Sequence, residues 1–114
     1  MNTDYILVLV TTASKEEAEK IAQKLLGGKL IACANIINPV TSHFYWSGKI
    51  DCAEECLMVM KSRIDLFEAL VDCVKGLHSY EVPEVLALPI VAGSEAYLGW
   101  MGEVLKQWCT FLYW

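Results

Sequence analysis

The sequence predicts an α+β domain built on one antiparallel sheet. Three observations point there. Strand, helix and strand signals occur in that order twice, followed by one further helix. The two halves are of similar length and carry the same punctuation, a serine ahead of the helix and a glycine after it. An unbroken apolar run opens the first half, while the last strand contains a proline. This is the split βαβ, or ferredoxin-like, pattern: βαββαβ with a C-terminal helix. Its strand order, 4-1-3-2, puts the first strand in the middle of the sheet and the fourth at an edge. The chain has 114 residues, enough for a single domain spanning 1–114 whose core needs no staple.

Tyr5 to Val10 is the apolar run, bounded by Asp4 and Thr11, and it predicts a central strand buried on both faces. Ser14 and Glu17 form a capping box. Ala18, Ile21, Ala22, Leu25 and Leu26 follow at helical spacing, and Gly27-Gly28 ends the helix. Gly27-Gly28-Lys29 is not a phosphate loop, because it follows a helix instead of opening one. Leu30 to Trp46 reads as extended, with a bend or bulge at Pro39. Ser47-Gly48-Lys49 supplies a tight turn, and Ile50 to Ser62 returns as the second arm of a long hairpin. Ser62 is expected to cap a second helix, with Asp65 in its first turn. Leu66, Phe67, Leu70, Val71 and Val74 are its apolar stripe and Gly76 its stop. Glu84 to Val91 is the fourth strand, and Pro89 marks it as an edge. Ser94 opens a third helix carrying Tyr97, Leu98, Met101, Val104 and Leu105. The apolar tail Trp108–Trp114 is too short to span a membrane. It is expected to lie as a strap over this domain or a neighbouring copy.

Composition narrows the function. A net charge of −5 and the lack of any Lys/Arg-rich run argue against nucleic acid and anionic membranes as partners. The apolar share of 55% is high for so short a chain, which predicts that some of it meets another subunit. Five cysteines, an odd number, together with no positively charged leader, predict reduced thiols and a cytoplasmic protein. No nucleotide-loop, hydrolase or zinc-protease motif occurs, so no enzyme activity is expected.

Soft and borderline metal ligands are present. Cys52 and Cys56 cannot share one ion on a strand, where four residues span about 13 Å. Cys33 and Cys73 sit in apolar settings that suit buried free thiols, Met58 and Met60 suit the core, and His43 suits a surface or an interface. The chemistry concentrates at Leu77-His78-Ser79-Tyr80-Glu81-Val82-Pro83-Glu84, between the second helix and the fourth strand. The plain reading is a helix-to-strand connection with its polar groups in water. The functional reading makes His78 a metal ligand, Glu81 and Glu84 ligands or supports for it, and Tyr80 a wall of the same cleft.

Leu30-Ile31-Ala32-Cys33-Ala34-Asn35-Ile36, Ser42, Tyr45-Trp46 with Gly48-Lys49-Ile50, Glu55, Met60-Lys61-Ser62, His78 with Tyr80 to Glu84, and Tyr97-Leu98 with Trp100 occur in that order. Together they resemble the CutA family of divalent-cation tolerance proteins over about Ile6 to Leu105. The resemblance implies a tight homotrimer, similar in architecture to PII signal proteins. It also implies a cytosolic protein tied to tolerance of copper and other divalent ions, with no assigned reaction. Some members are described as binding copper through a cysteine after the first strand and two consecutive histidines in the loop. Here Thr11 stands at the cysteine position and Leu77 at the first histidine, so only His78 matches. Ser79 stands where a proline is frequent.

Three readings follow. One is a trimeric metal-response protein binding copper or a similar cation weakly at intersubunit clefts near His78. The second is a PII-like module that binds a small metabolite in those clefts. The third is an enzyme using Lys61, His78, Tyr80 and Glu84.

Overall fold

A computed structural model of the chain describes residues 3–107. The expectation of a strap at Trp108–Trp114 lies outside these residues. In chain order the elements are β1 (Tyr5–Thr12), α1 (Lys15–Gly27), β2 (Cys33–Trp46), β3 (Lys49–Arg63), a 3-10 turn (Ile64–Leu66), α2 (Phe67–Leu77), β4 (Val85–Pro89) and α3 (Glu95–Val104). The strands form one antiparallel sheet in the order β2-β3-β1-β4. This is the ferredoxin-like order expected, with β1 central and the proline-bearing β4 at an edge.

Local chemistry explains most element ends. The Ser14 hydroxyl accepts from the Glu17 amide at 3.2 Å and starts α1. The helix ends in a Schellman turn: Leu30 N–H reaches Leu25 O, and Lys29 N–H reaches Leu26 O. The left-handed residue of that turn is Lys29, at φ 59°, one place beyond the two glycines. At the hairpin tip Ser47 and Gly48 both take positive φ, 52° and 78°, as a two-residue turn between twisted strands requires. Pairing of β2 with β3 shifts register between Ile37 and Val40, so Pro39 makes the expected bulge.

Two expected ends move. Ser62 is no helix cap. It is the last inward residue of β3, fully buried, and its hydroxyl donates to Leu30 O at 2.6 Å. The 3-10 turn then intervenes, and α2 starts at Phe67 with no side-chain cap. Gly76 does not stop α2 either. The helix runs through Leu77 because the His78 amide still reaches Val74 O.

The core lies between the sheet and one layer of helices. Ile6, Val8 and Val10 of β1 and Cys56, Met58 and Met60 of β3 pack against Ala18, Ile21 and Leu25 of α1 and Leu70 and Val74 of α2. A second cluster, Ala32, Leu66, Met101 and Leu105, seats α3. The expectation that β1 is buried on both faces is corrected within a single copy. Its residues alternate buried and half-buried, since helices cover only one side. On the open side lie Leu7, Leu9, Leu57 and Val59, flanked by Ile37 and by Leu86 and Leu88, which are 48%, 54% and 41% exposed. No described helix is long and apolar enough to cross a membrane.

Candidate functional site

The loop between α2 and β4 is held at both ends by rigid elements, and its first residue turns inward. The His78 side chain is 0% exposed. Its Nε2 lies 2.7 Å from the Thr11 carbonyl of β1. A carbonyl can only accept, so Nε2 carries the proton. Nδ1 is then the bare nitrogen, and it accepts the Tyr80 amide at 3.0 Å. Both ring nitrogens are thus satisfied inside the chain. As placed, His78 has no lone pair to offer a metal without giving up one of these bonds. The ligand role expected for it does not fit this arrangement; it supports the loop instead.

Its neighbours extend the support. Tyr80 lies against the imidazole, ring centroids 4.7 Å apart, and its hydroxyl donates to Glu55 Oε2 of β3 at 2.7 Å. Burial, then the hydrogen bond to Glu55 and the charges of Glu55 and Glu17, push the phenol up to about 12. Glu17 of α1 does more than cap its own helix. Its carboxylate accepts the Ala13 amide at 3.1 Å, the Ser79 amide at 2.6 Å and the Ser79 hydroxyl at 3.1 Å. Its Oε2 also stands 3.9 Å from His78 Nδ1. Burial works to raise the Glu17 carboxyl. The Ser79 and Ala13 hydrogen bonds and the adjacent imidazole outweigh it, so the group titrates below its ordinary 4.5.

That direction fixes a pH dependence. A depressed carboxyl contributes stability that is fully present above its unfolded value and is lost as pH falls through the lower folded one. Glu17→Gln is therefore expected to be less stable than wild type at neutral pH, by about 1–2 kcal/mol for charge-assisted bonds of this kind. The gap should close as acid passes below 4.5. Urea denaturation of both proteins across that range checks it, and a gap that does not change with pH would show that the anchor is not the carboxylate.

Beyond Tyr80 the loop forms one wall of an open cleft of about 990 Å³. Glu81, Val82 and Glu84 continue that wall, and the floor is the open face of the hairpin, Ser42, Phe44, Asp51 and Glu55 among them. His43 and Thr11 also line it. No lysine or arginine does, and Glu81 and Glu84 make no hydrogen bond or ion pair among the described residues. No group of three or more His, Cys, Asp or Glu side chains among the described residues could hold a metal ion.

The structure thus brings together His78, Tyr80, Glu81 and Glu84, but not Lys61. Lys61 sits opposite Cys33 on the open sheet face, and its Nζ donates to Asn35 Oδ1 at 2.8 Å and to Cys33 Sγ at 3.7 Å. A reaction pairing it with the loop has no support in this placement. Thr11 does meet His78, through its carbonyl rather than its side chain, and Leu77 packs against the core. Cys33, Cys52, Cys56 and Cys73 are free, Cys56 buried with its thiol on Asn38 Oδ1 at 3.1 Å. Sequence reasoning missed Glu55, Asp51 and His43 as cleft residues. Their one signal was the hairpin, whose register sets Glu55 opposite Val40, Asp51 opposite Phe44 and His43 opposite Cys52.

Residues 6–104 match the family described as CutA1 divalent ion tolerance protein. The divalent-cation tolerance protein CutA of Archaeoglobus fulgidus is 43% identical over 99 residues, 87% of this chain and 96% of that protein. The Escherichia coli protein of the same name is 38% identical over 105 residues, covering 92% and 94%. Among solved structures, CutA1 from Oryza sativa superposes with a TM-score of 0.89 at 38% identity, covering 93% of this chain and 97% of that one. The structure from Archaeoglobus fulgidus gives 0.87 at 42% identity, covering 90% and 99%. That relative is named a periplasmic divalent cation tolerance protein, which overturns the cytoplasmic expectation. Cysteine parity bears on which thiols can pair, and it does not fix a compartment.

Proposed function

The chain belongs to the CutA1 divalent ion tolerance family, and on that premise we propose that it acts without catalysis, as a trimer of identical copies binding copper or a similar divalent cation weakly between them. The observation that carries this reading is the cleft. It offers Glu81 and Glu84 as unpaired carboxylates, with His43 nearby and no cationic side chain in its lining. Imidazole with carboxylate suits borderline ions such as Cu(II) and Zn(II). One copy supplies fewer ligands than the three or four of a tight site. Binding by one copy alone is therefore weak, and a neighbouring copy is the natural source of the rest. The uncovered apolar face of the sheet supports assembly on independent grounds.

Calorimetry with Cu(II) and Zn(II) tests the reading. Glu81→Gln with Glu84→Gln is expected to weaken binding about tenfold or more, the effect of roughly 1.4 kcal/mol. Binding should also fall in acid, because protons compete for the same lone pairs. Equal affinity in wild type and the double variant would move the cation elsewhere.

A second reading, a PII-like module for a small metabolite, is favoured by one feature. A cleft of about 990 Å³ with the Phe44 and Trp46 rings in its lining has the size and character of an organic-ligand site, beyond what a lone ion needs. A thermal-shift screen with nucleotides and other metabolites separates the two.

A further inference from the structure

The cleft loop is tied down almost entirely through one imidazole and one carboxylate. We propose that His78 and Glu17 form a proton-operated clasp that holds Tyr80 and the 78–84 loop against the cleft while the imidazole is neutral and loosens them when it takes up a proton. The cation reading is the premise for what the clasp would regulate.

Three facts carry it. The neutral tautomer is imposed: Nε2–H donates to the Thr11 carbonyl, so Nδ1 must be bare to receive the Tyr80 amide. Adding a proton to Nδ1 sets two donors against each other, and that bond cannot survive. The charged groups facing the ring are Glu17 from α1, 3.9 Å from Nδ1, and, beyond the Tyr80 phenol, Glu55 from β3; β1 presents only the Thr11 carbonyl. The imidazolium therefore has one anion within reach. In turning toward Glu17 it draws Oε2 away from the Ser79 amide, 2.6 Å away in the neutral state.

Protonation thus breaks the Tyr80 amide bond directly and weakens the Ser79 bond through Glu17. What remains is the His78 ring on the Thr11 carbonyl, the Ser79 hydroxyl on Glu17 Oε1 and the Tyr80 hydroxyl on Glu55, so of the backbone amides that hold the start of the loop, Tyr80 loses its acceptor and Ser79 is loosened. The trigger is buried and the moving part, Tyr80 to Glu84, is the wall of the cleft, so proton uptake couples to the geometry of the site.

The test is amide hydrogen exchange followed by NMR on the full-length, metal-free protein across a pH series, with the ¹⁵N shifts of the His78 ring recorded in parallel. Expected is a loss of protection at the Tyr80 amide that tracks ring protonation, approaching about tenfold per pH unit while the closed ring is neutral and the opened ring protonated, and levelling off once both carry the proton, as uptake of one proton per opening requires. Val8 and Met58 in the core strands should stay protected. In His78→Gln, which keeps a donor and an acceptor but cannot take the proton, Tyr80 protection should no longer follow pH in that range. The proposal is overturned if Tyr80 loses protection only together with Val8 and Met58, because the ring then protonates only on unfolding. It is equally overturned if the ring titrates while Tyr80 stays protected, or if His78→Gln keeps the wild-type profile. The wild-type series decides alone should that variant not fold. Because no metal is present, failure here leaves the cation reading standing, and absence of cation binding leaves the clasp standing.

Discussion

Glutamate at both Ile37 and Leu86 is expected to turn a trimer into monomers. Both side chains lie on the open sheet face of a single copy, 48% and 54% exposed, so the substitutions spare the core of each copy. Between them run Leu7, Leu9, Leu57 and Val59, half-buried with no helix above them. Covering such residues is worth about 1.5–3 kcal/mol for each large side chain fully withdrawn from water. A carboxylate placed there has to be desolvated without a partner on assembly, at a cost of several kcal/mol per ion. Two such charges in each of three copies exceed what the surrounding leucines return. Sedimentation velocity at micromolar concentration should show trimer for wild type and monomer for the double variant. Leu26→Glu, a solvent-side change on α1, should leave the trimer intact. A wild-type protein that sediments as a stable monomer would remove the assembly reading. The hairpin tip gives a second handle: Tyr45, Trp46 and Ile50 are 76%, 69% and 70% exposed. A charge in Phe44–Trp46 should weaken the same assembly if that arm reaches a neighbour.

Features written in local chemistry could be read without coordinates. The Ser14 cap, the glycine pair after α1, the Pro39 bulge, the Ser47-Gly48 turn and the edge position of Pro89 each depend on residues a few places apart. Two local rules failed where tertiary structure competed. Ser62 has the right chemistry for a cap, but strand alternation turns it into the core, where Leu30 O takes its proton. Gly76 sits where a helix stop is expected, yet the His78 amide finds Val74 O and the helix continues.

The candidate cleft was legible as a stretch of chain and its internal bonding was not. That Tyr80, Glu81 and Glu84 stand together along one cleft wall followed from their crowding beside His78 in the sequence. That His78 is spoken for did not, because its partner is a backbone carbonyl 67 residues away, and a carbonyl carries no side-chain signature. Glu17 read as a capping-box residue and proved to reach Ser79, 62 residues on. Lys61 read as a neighbour of the loop by motif and lies outside the cleft by register.

His78→Ala separates support from ligation more sharply than any metal titration. An exposed histidine that waits for a cation contributes little to folding, and its removal changes stability by about 0.5 kcal/mol or less. The ring seen here is fully enclosed. Removing it leaves a void beside the Tyr80 ring, the Thr11 carbonyl without its donor and the Tyr80 amide without its acceptor. Each buried polar group left unsatisfied costs about 1–3 kcal/mol, and the void adds to that. Water reaching the partly opened loop recovers some of it. A net loss of about 3 kcal/mol is expected by chemical denaturation at neutral pH. His78→Gln, which can still donate to Thr11 and accept from Tyr80, should recover part of that loss. Its cation affinity should then lie close to wild type, because the carboxylates of Glu81 and Glu84 are untouched and the loop is again held. A His78→Ala protein as stable as wild type but unable to bind Cu(II) would restore the histidine as the ligand.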